Sequence, residues 1–242
     1  MIHIGTAAWN IPKDHATAFP VTGSHLERYS AVFNAVEINS SFYRPHRATT
    51  YERWAASVPA DFRFAVKLPK AITHEHRLKD AAGLLDRFLS EVSGLGPKLG
   101  PLLVQLPPSL RFEDGIADSF LRGLRGRVES PVVCEPRHGS WFTPTVEALL
   151  DELRIARVAA DPAPVSGAGE PGGWRGLSYY RLHGSPKIYY SAYSPEHLEG
   201  ISERLTGDAA AAIETWCIFD NTAAFAATGD ALTTRSLVQS GR

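Results

Sequence analysis

Short apolar runs of strand length recur along the chain at residues 2–6, 35–39, 63–68, 102–106, 132–135, 155–160, 177–182 and 215–219. Between most of them the apolar positions fall three and four apart. Leu26, Tyr29 and Phe33 form one such stripe; Leu84, Leu85, Phe88, Leu89 and Val92 form a second; Val146, Leu149, Leu150 and Leu153 form a third. That spacing lines one face of a helix. Residues 49–58, 118–124, 197–205 and 223–238 fill further intervals. Strand alternating with helix implies parallel pairing with right-handed crossovers. Eight such units within 242 residues match an α/β fold of one kind, a single (β/α)8 TIM-type barrel of roughly 250 residues, spanning 1–242 as one domain. A doubly wound open sheet shares the alternation, but the count of eight favours the barrel. One interval breaks the pattern: 161–176 (DPAPVSGAGEPGGWRG) is too rich in Pro and Gly for a helix. A long loop is expected there in place of the sixth helix, either mobile or folded over the barrel mouth.

Each apolar run gives way to polar sequence at its carboxyl end, the end that builds the active face of a barrel. Side chains two apart on a strand share a face. Parity therefore turns Glu37 and Asn39 inward together, likewise Ala65 and Lys67, Glu135 and Arg137, Arg181 and His183. Val36, Ile38, Cys134 and Leu182 then face the helices. Gln105 and Asn221 complete the expected mouth, and His74, His138 and Asp161 lie at strand ends or in the loops that follow.

The segments EINSSFYRP (37–45), FRFAVKLPKAITH (62–74), LGPLLVQLPPS (99–109), EPRHGSW (135–141), YYRLHG (179–184) and FDNT (219–222) resemble, in order, the signatures of the YecE-like domain of unknown function 72 family. The opening IGTAAWN (4–10) is similar to that family's start. The resemblance covers nearly the whole chain and implies a TIM-type barrel with a polar pocket at the strand carboxyl ends. It implies no reaction, because the family is named for having none assigned.

Charge narrows the function classes. Twenty-five Lys and Arg against 26 Asp and Glu leave a net charge of −1, which excludes a chain that coats nucleic acid by bulk charge but not a local basic patch. With 44% hydrophobic residues, disorder over the whole length is excluded too. No apolar stretch approaches the roughly 20 residues of a membrane span. The opening MIHIG lacks the basic and apolar regions of a signal peptide, so a cytoplasmic protein with no membrane partner is expected. Cys134 and Cys217 sit in apolar runs outside any CxxC, and read as small buried hydrophobes.

Against this neutral background, Lys67, His74, Arg77, Arg137, His138, Arg181 and His183 gather toward one face. A positive mouth suits phosphate or carboxylate, with Arg giving bidentate contacts. The bland alternative is that Lys67, Arg137 and Arg181 neutralise Glu37, Glu135 and Asp161 in an interior network. Glu37, Glu135, Asp161 and Asp220 with a histidine have the chemistry of metal ligands, yet the neighbouring cations oppose a metal and no HxxH or HExxH spacing occurs. No metal ligand is assigned, and no cofactor is identified. Phe42, Tyr43, Trp9, Trp141, Tyr189, Tyr190 and Tyr193 either stack on a ligand or pack the mouth shut.

The expectation is a pocket for a small anionic or polyhydroxylated ligand, with acid–base chemistry of a hydrolase, isomerase or lyase. Glu37 and Glu135 are the acid and base, and His183 carries the proton. Lys67, Arg137 and Arg181 clamp the anion. Asn39, Gln105 and Asn221 orient the ligand, with His74, His138 and Asp161 as further contacts. The alternatives are a nucleic-acid-binding or metal-dependent phosphodiesterase-like barrel, and a metabolite sensor without catalysis.

Overall fold

The computed structural model describes residues 1–241. The strands are β1 (Ile2–Thr6), β2 (Ala35–Ile38), β3 (Arg63–Lys67), β4 (Leu99–Gln105), β5 (Val132–Glu135), β6 (Ile155–Arg157), β7 (Ala159–Asp161), β8 (Gly172–Gly173), β9 (Leu177–Leu182) and β10 (Glu214–Phe219). The helices are α1 (His25–Ser30), α2 (Ser40–Tyr43), α3 (Ala48–Ala56), α4 (Ala82–Val92), α5 (Asp114–Arg125), α6 (Pro144–Glu152), α7 (Pro195–Ala210) and α8 (Ala226–Ser240). Local chemistry sets several starts. Ser24 and Glu27 form a capping box on α1, while Thr143 and Ser194 cap α6 and α7, each followed by Pro. Among the described residues no helix is long and apolar enough to cross a membrane.

The fold is α/β with parallel sheets. One sheet runs β1-β10-β9-β7 and the other β2-β3-β4-β5-β6-β8, with only the short β8 antiparallel. The apolar run 155–160 serves both. Its first half, β6, pairs with β5, and its second half, β7, pairs with β9. Val158 between them donates its N–H to Cys134 O at 2.9 Å. At the other seam, β1 and β2 share a single bridge, Ala7 with Glu37, and side chains replace the rest of the ladder. Asn34 Oδ1 accepts from Ile4 N at 2.9 Å, and its Nδ2 donates to Ile2 O at 2.8 Å. Tyr29 Oη accepts from Thr6 N at 2.8 Å and donates to Ala35 O at 3.1 Å. Gly5 permits this approach, because a Cβ there would stand 2.0 Å from Ala35 O.

The apolar residues divide into two clusters. The larger fills the space between strands and helices; the smaller joins the inner faces of both sheets, through Ala7, Ala35, Ala65, Leu103, Val133, Tyr179, Trp216 and Ile218. Ala7 just beyond β1, Ala35 on β2 and Ala65 on β3 share this cluster with Trp216 and Tyr179, whose rings stack 6.0 Å apart. Both cysteines are buried free thiols.

Among the described residues no helix lies between β7 and β9. The intervening segment is neither loose nor draped over the strand ends. Arg157 Nη1 donates to Gly167 O and Glu170 O, and Arg204 Nη2 to Gly169 O. Gly173 N donates to Glu147 Oε2 at 2.6 Å, and β8 pairs with β6. These bonds tie the segment to β6, α6 and α7.

Tyr29 is fully buried, so removing its hydroxyl strands the Thr6 N–H and the Ala35 carbonyl without solvent. Tyr29→Phe should lower stability by about 2–4 kcal/mol, measured by urea unfolding. An unchanged midpoint would mean that the seam closes without this bridge.

Candidate functional site

Glu37, Lys67, Gln105, Glu135 and Arg181 follow, at two-residue spacing, the inner-core residues Ala35, Ala65, Leu103, Val133 and Tyr179. Alternation along each strand thus carries the apolar interior into a polar layer at the carboxyl ends. The centre of that layer is Arg181, which has no exposed surface. Its Nε donates to Glu37 Oε2 at 2.9 Å and its Nη2 to Glu37 Oε1 at 2.6 Å. Nη1 donates to Glu135 Oε2 at 2.9 Å, and Nη2 lies 3.1 Å from Asp220 Oδ2. Tyr179 donates its hydroxyl to Glu37 Oε2 at 2.9 Å, and Gln105 Nε2 donates to Glu135 Oε2 at 3.1 Å.

His183 joins two of the acids. Its Nε2 is 2.9 Å from Glu135 Oε1 and its Nδ1 is 3.0 Å from Asp220 Oδ2. Arg137 Nη2 lies 3.2 Å from Nε2 and opposes a proton there, but with a carboxylate at each nitrogen both carry protons and the ring is an imidazolium. Burial works against that charge, but Glu135 and the bonds to Asp220 and Glu135 outweigh it, and the His183 pKa is raised above 6.5. Arg137 is nearer solvent. Its Nε and Nη2 donate to Glu135 Oε1 at 3.1 and 3.0 Å, and its Nη1 to Tyr189 Oη at 3.0 Å. Burial raises the pKa of Glu135, yet Arg181, His183 and Arg137 overcome it and hold the carboxyl well below 4.5. Asp220 behaves alike: burial opposes ionisation, and Arg181 and His183 prevail.

Three carboxylates thus face Arg181, Arg137 and the His183 imidazolium. Lys67 is the surplus cation. It is 6% exposed, its ammonium makes no hydrogen bond or ion pair with the described residues, and Nζ lies 4.0 Å from the centroid of the Phe42 ring. Burial and the charge of Arg181 lower its pKa to about 8, against the pull of Glu37, Asp220 and Glu135. His74 packs edge-on against the same Phe42 ring at 4.9 Å and is bonded through Nδ1 to Thr73 Oγ1. Burial, then Lys67 and Arg137, lower its pKa. Asn39 follows β2 on the strand neighbouring Lys67; its Oδ1 is buried without a partner.

Three residues expected at the mouth lie elsewhere. His138 Nδ1 accepts from Ser140 N and caps the turn 139–141, a local structural contact. Asp161 takes the Tyr193 hydroxyl at 2.9 Å and lies 3.5 Å from His197 Nε2, away from Arg181. Asn221 points to the opposite side, donating to Ser191 O and to Asp230 Oδ2. The step Trp216, Ile218, Asp220 explains the last case: on β10 the inward parity selects Asp220, not Asn221. The same alternation marks Tyr179, two residues before Arg181. Arg181 itself is no open anion clamp, because protein carboxylates surround its guanidinium. Among the described residues no group of three or more His, Cys, Asp or Glu is placed to hold a metal ion; Arg181 lies among the acids that would have to converge.

Comparison with known proteins agrees with the motif order. The family model described as "Protein of unknown function DUF72" matches residues 3–242. The chain belongs to the DUF72 family. UPF0759 protein YecE of Escherichia coli K12 is 32% identical over 174 residues, which is 69% of this chain and 62% of that protein. UPF0759 protein YunF of Bacillus subtilis 168 is 29% identical over 60% of this chain and 53% of its own length. The chain thus matches less than two thirds of the length of these curated relatives. Solved DUF72 structures share the fold. One from Enterococcus faecalis V583 superposes with TM-score 0.83 at 20% identity, covering 99% of this chain and 96% of its own. Another, from Thermotoga maritima MSB8, gives 0.80 at 24% identity and covers 99% of each chain.

Removing one partner of a buried ion network leaves charges unpaired and costs about 3–5 kcal/mol. Arg181→Met should lose that much in chemical denaturation; a midpoint close to wild type would show that the three carboxyls reorganise without it. The titrations set a pH window. Glu135 and Asp220 contribute stability above their ordinary values of 4.5 and 3.8, and lose it as pH falls through their lower folded values. His183 contributes fully below 6.5 and loses it as pH rises through its higher folded value. Lys67 acts in the opposite sense, its penalty relieved only between about 8 and 10.5. Unfolding free energy should therefore decline from pH 6.5 toward 8, and His183→Gln should flatten that slope. An unchanged slope in the variant would remove His183 as its source.

Proposed function

We propose that the two sheets close into a single (β/α)8 barrel domain whose mouth binds a small anionic, oxygen-bearing ligand and carries out acid–base chemistry on it. The shared inner core, the Val158 crossover and the β1–β2 seam support closure. The observation that carries the binding reading is Lys67: each other cation of the cluster is matched by a carboxylate, and this ammonium is not. A buried, unmatched cation is costly, and an anion entering the mouth relieves that cost.

In this reading Lys67 and the outer edge of Arg137 hold the anionic group. Asn39 Oδ1 and the His74 ring present neutral polar atoms beside it. His183 delivers the Nε2 proton by exchanging its bond to Glu135 for one to the ligand, while Asp220 on Nδ1 fixes the ring and stabilises its charged form. Glu37 is the partner of Arg181 and Tyr179 and holds the floor of the site.

Thermal unfolding with inorganic phosphate, D-glycerate and L-lactate tests the binding reading. A ligand at 100 times its dissociation constant stabilises by about 2.7 kcal/mol, or roughly 5–10 °C for a domain of this size. At least one of these anions should raise Tm in the wild type and in a Lys187→Met control, but not in Lys67→Met. No shift with any of them, or an equal shift in Lys67→Met, would overturn the assignment.

A further inference from the structure

We propose that Lys67 is a covalent residue: its amine condenses with the carbonyl of a small anionic aldehyde or ketone, such as a 2-oxo acid, to give an imine. This rests on the mouth being the binding site and narrows the ligand class to carbonyl compounds.

A nucleophilic amine must be free, neutral for part of the time, and sheltered from water. Lys67 meets each condition through its surroundings. Its Nζ has no hydrogen-bond or ion-pair partner among the described residues, so no carboxylate must be displaced before attack. The Phe42 ring lies 4.0 Å away and forms one wall. Arg181, fixed in place by Glu37 and Glu135, adds an immovable positive charge nearby. Desolvation together with that charge brings the ammonium down to about 8, where about a tenth is free amine at pH 7. Position agrees with chemistry, since Lys67 ends β3 inside the polar layer. A lysine kept only for charge would be served as well by a paired geometry, which its neighbours adopt.

The step balances without an outside reagent. Nζ attacks the carbonyl carbon and forms the C–N bond, while the carbonyl oxygen takes a proton to give a carbinolamine. The C–O bond then breaks, and the oxygen leaves as water with both hydrogens of the neutral amine, leaving an imine whose nitrogen takes a proton from solvent to become the iminium. Water re-adds to release the product. The iminium carries one positive charge, which the ligand's own anionic group offsets beside Arg137. Electron withdrawal by the iminium labilises a bond next to the former carbonyl, and His183 handles the neighbouring proton through Nε2 once the ligand replaces Glu135 there, Asp220 holding Nδ1.

Reductive trapping tests this on the intact protein. Glyoxylate and pyruvate serve as carbonyl probes with sodium cyanoborohydride, followed by peptide mass spectrometry. A carboxymethyl or carboxyethyl adduct concentrated on Lys67, over surface lysines by at least tenfold, is the expected result. Yield should rise with pH around 8, and Lys67→Arg, which keeps the charge, should show none at that position. Adducts spread evenly over exposed lysines, or the same yield after prior blocking of the mouth with phosphate, would overturn it. Phosphate and L-lactate, which cannot form imines, separate the two readings. Lysine-dependent stabilisation by either of them without any Lys67 adduct ends the covalent role and leaves anion binding standing. Neither stabilisation nor adduct ends both.

Discussion

The structure depends on one buried guanidinium. Arg181 comes from β9 in one sheet, and its bonds reach Glu37 on β2 and Glu135 on β5 in the other, and Asp220 just beyond β10. No apolar contact could impose the same geometry, because hydrophobic burial has no direction, whereas a planar fork fixes each carboxylate in angle as well as distance. The β1–β2 seam has only one backbone bridge and the β6–β7 run changes sheets at a single residue. A charged crosslink between the sheets supplies at the carboxyl end the registration that backbone ladders do not supply at the seams. The apolar layer beneath it keeps water out and so strengthens each of these bonds.

Charge matching around Arg181 also decides what is left over. The carboxylates are consumed by Arg181, Arg137 and His183, so the expectation that Glu37 acts as a free acid or base loses its chemical basis. Its oxygens accept from Arg181 and Tyr179 together. Glu135 is different: it bonds to the buried Arg181 on one oxygen, and on the other to the partly exposed Arg137 and the buried His183. It therefore links the rigid floor to the outer edge of the cluster, where Arg137 is partly exposed. The two acids were equivalent in sequence and are unlike in the structure, and the difference lies in which neighbours share their layer.

Much of the fold was legible because strands and helices have different apolar periods. The runs at 2–6, 132–135 and 177–182 match β1, β5 and β9 at both ends. The run 155–160 reads as one strand, and no pattern within it signals a change of sheet, since both halves are equally apolar. In the site, parity placed Glu37, Lys67, Glu135 and Arg181 correctly side by side. On β10 the same parity runs from Trp216 through Ile218 to Asp220, which leaves Asn221 outside the layer. His138 and Asp161 illustrate a harder limit. Both follow strand ends, but their partners, Ser140 in a local turn and Tyr193 from a distant loop, are set by chain geometry that no spacing encodes. The Arg137–Tyr189 bond is of the same kind: residues 52 apart meet because the chain turns back after Gly184, whose φ of +90° suits glycine.

Lys67 shows how an interior network can create reactivity at a residue outside it. Had Arg181 been absent, Glu37, Glu135 and Asp220 would attract the ammonium and raise its pKa, leaving a poor nucleophile. With Arg181 among them the acids are spent, and their cation becomes the neighbour that repels Lys67. Burial removes the water that would otherwise solvate the charge. The same guanidinium that registers the two sheets is thus the source of the unmatched amine, so structural and chemical roles are separated by residue but joined by electrostatics. Variation in this family at Arg181 would then be felt twice, as lost registration and as a quenched lysine, whereas variation at Lys67 would leave the ion pairs around Arg181 intact.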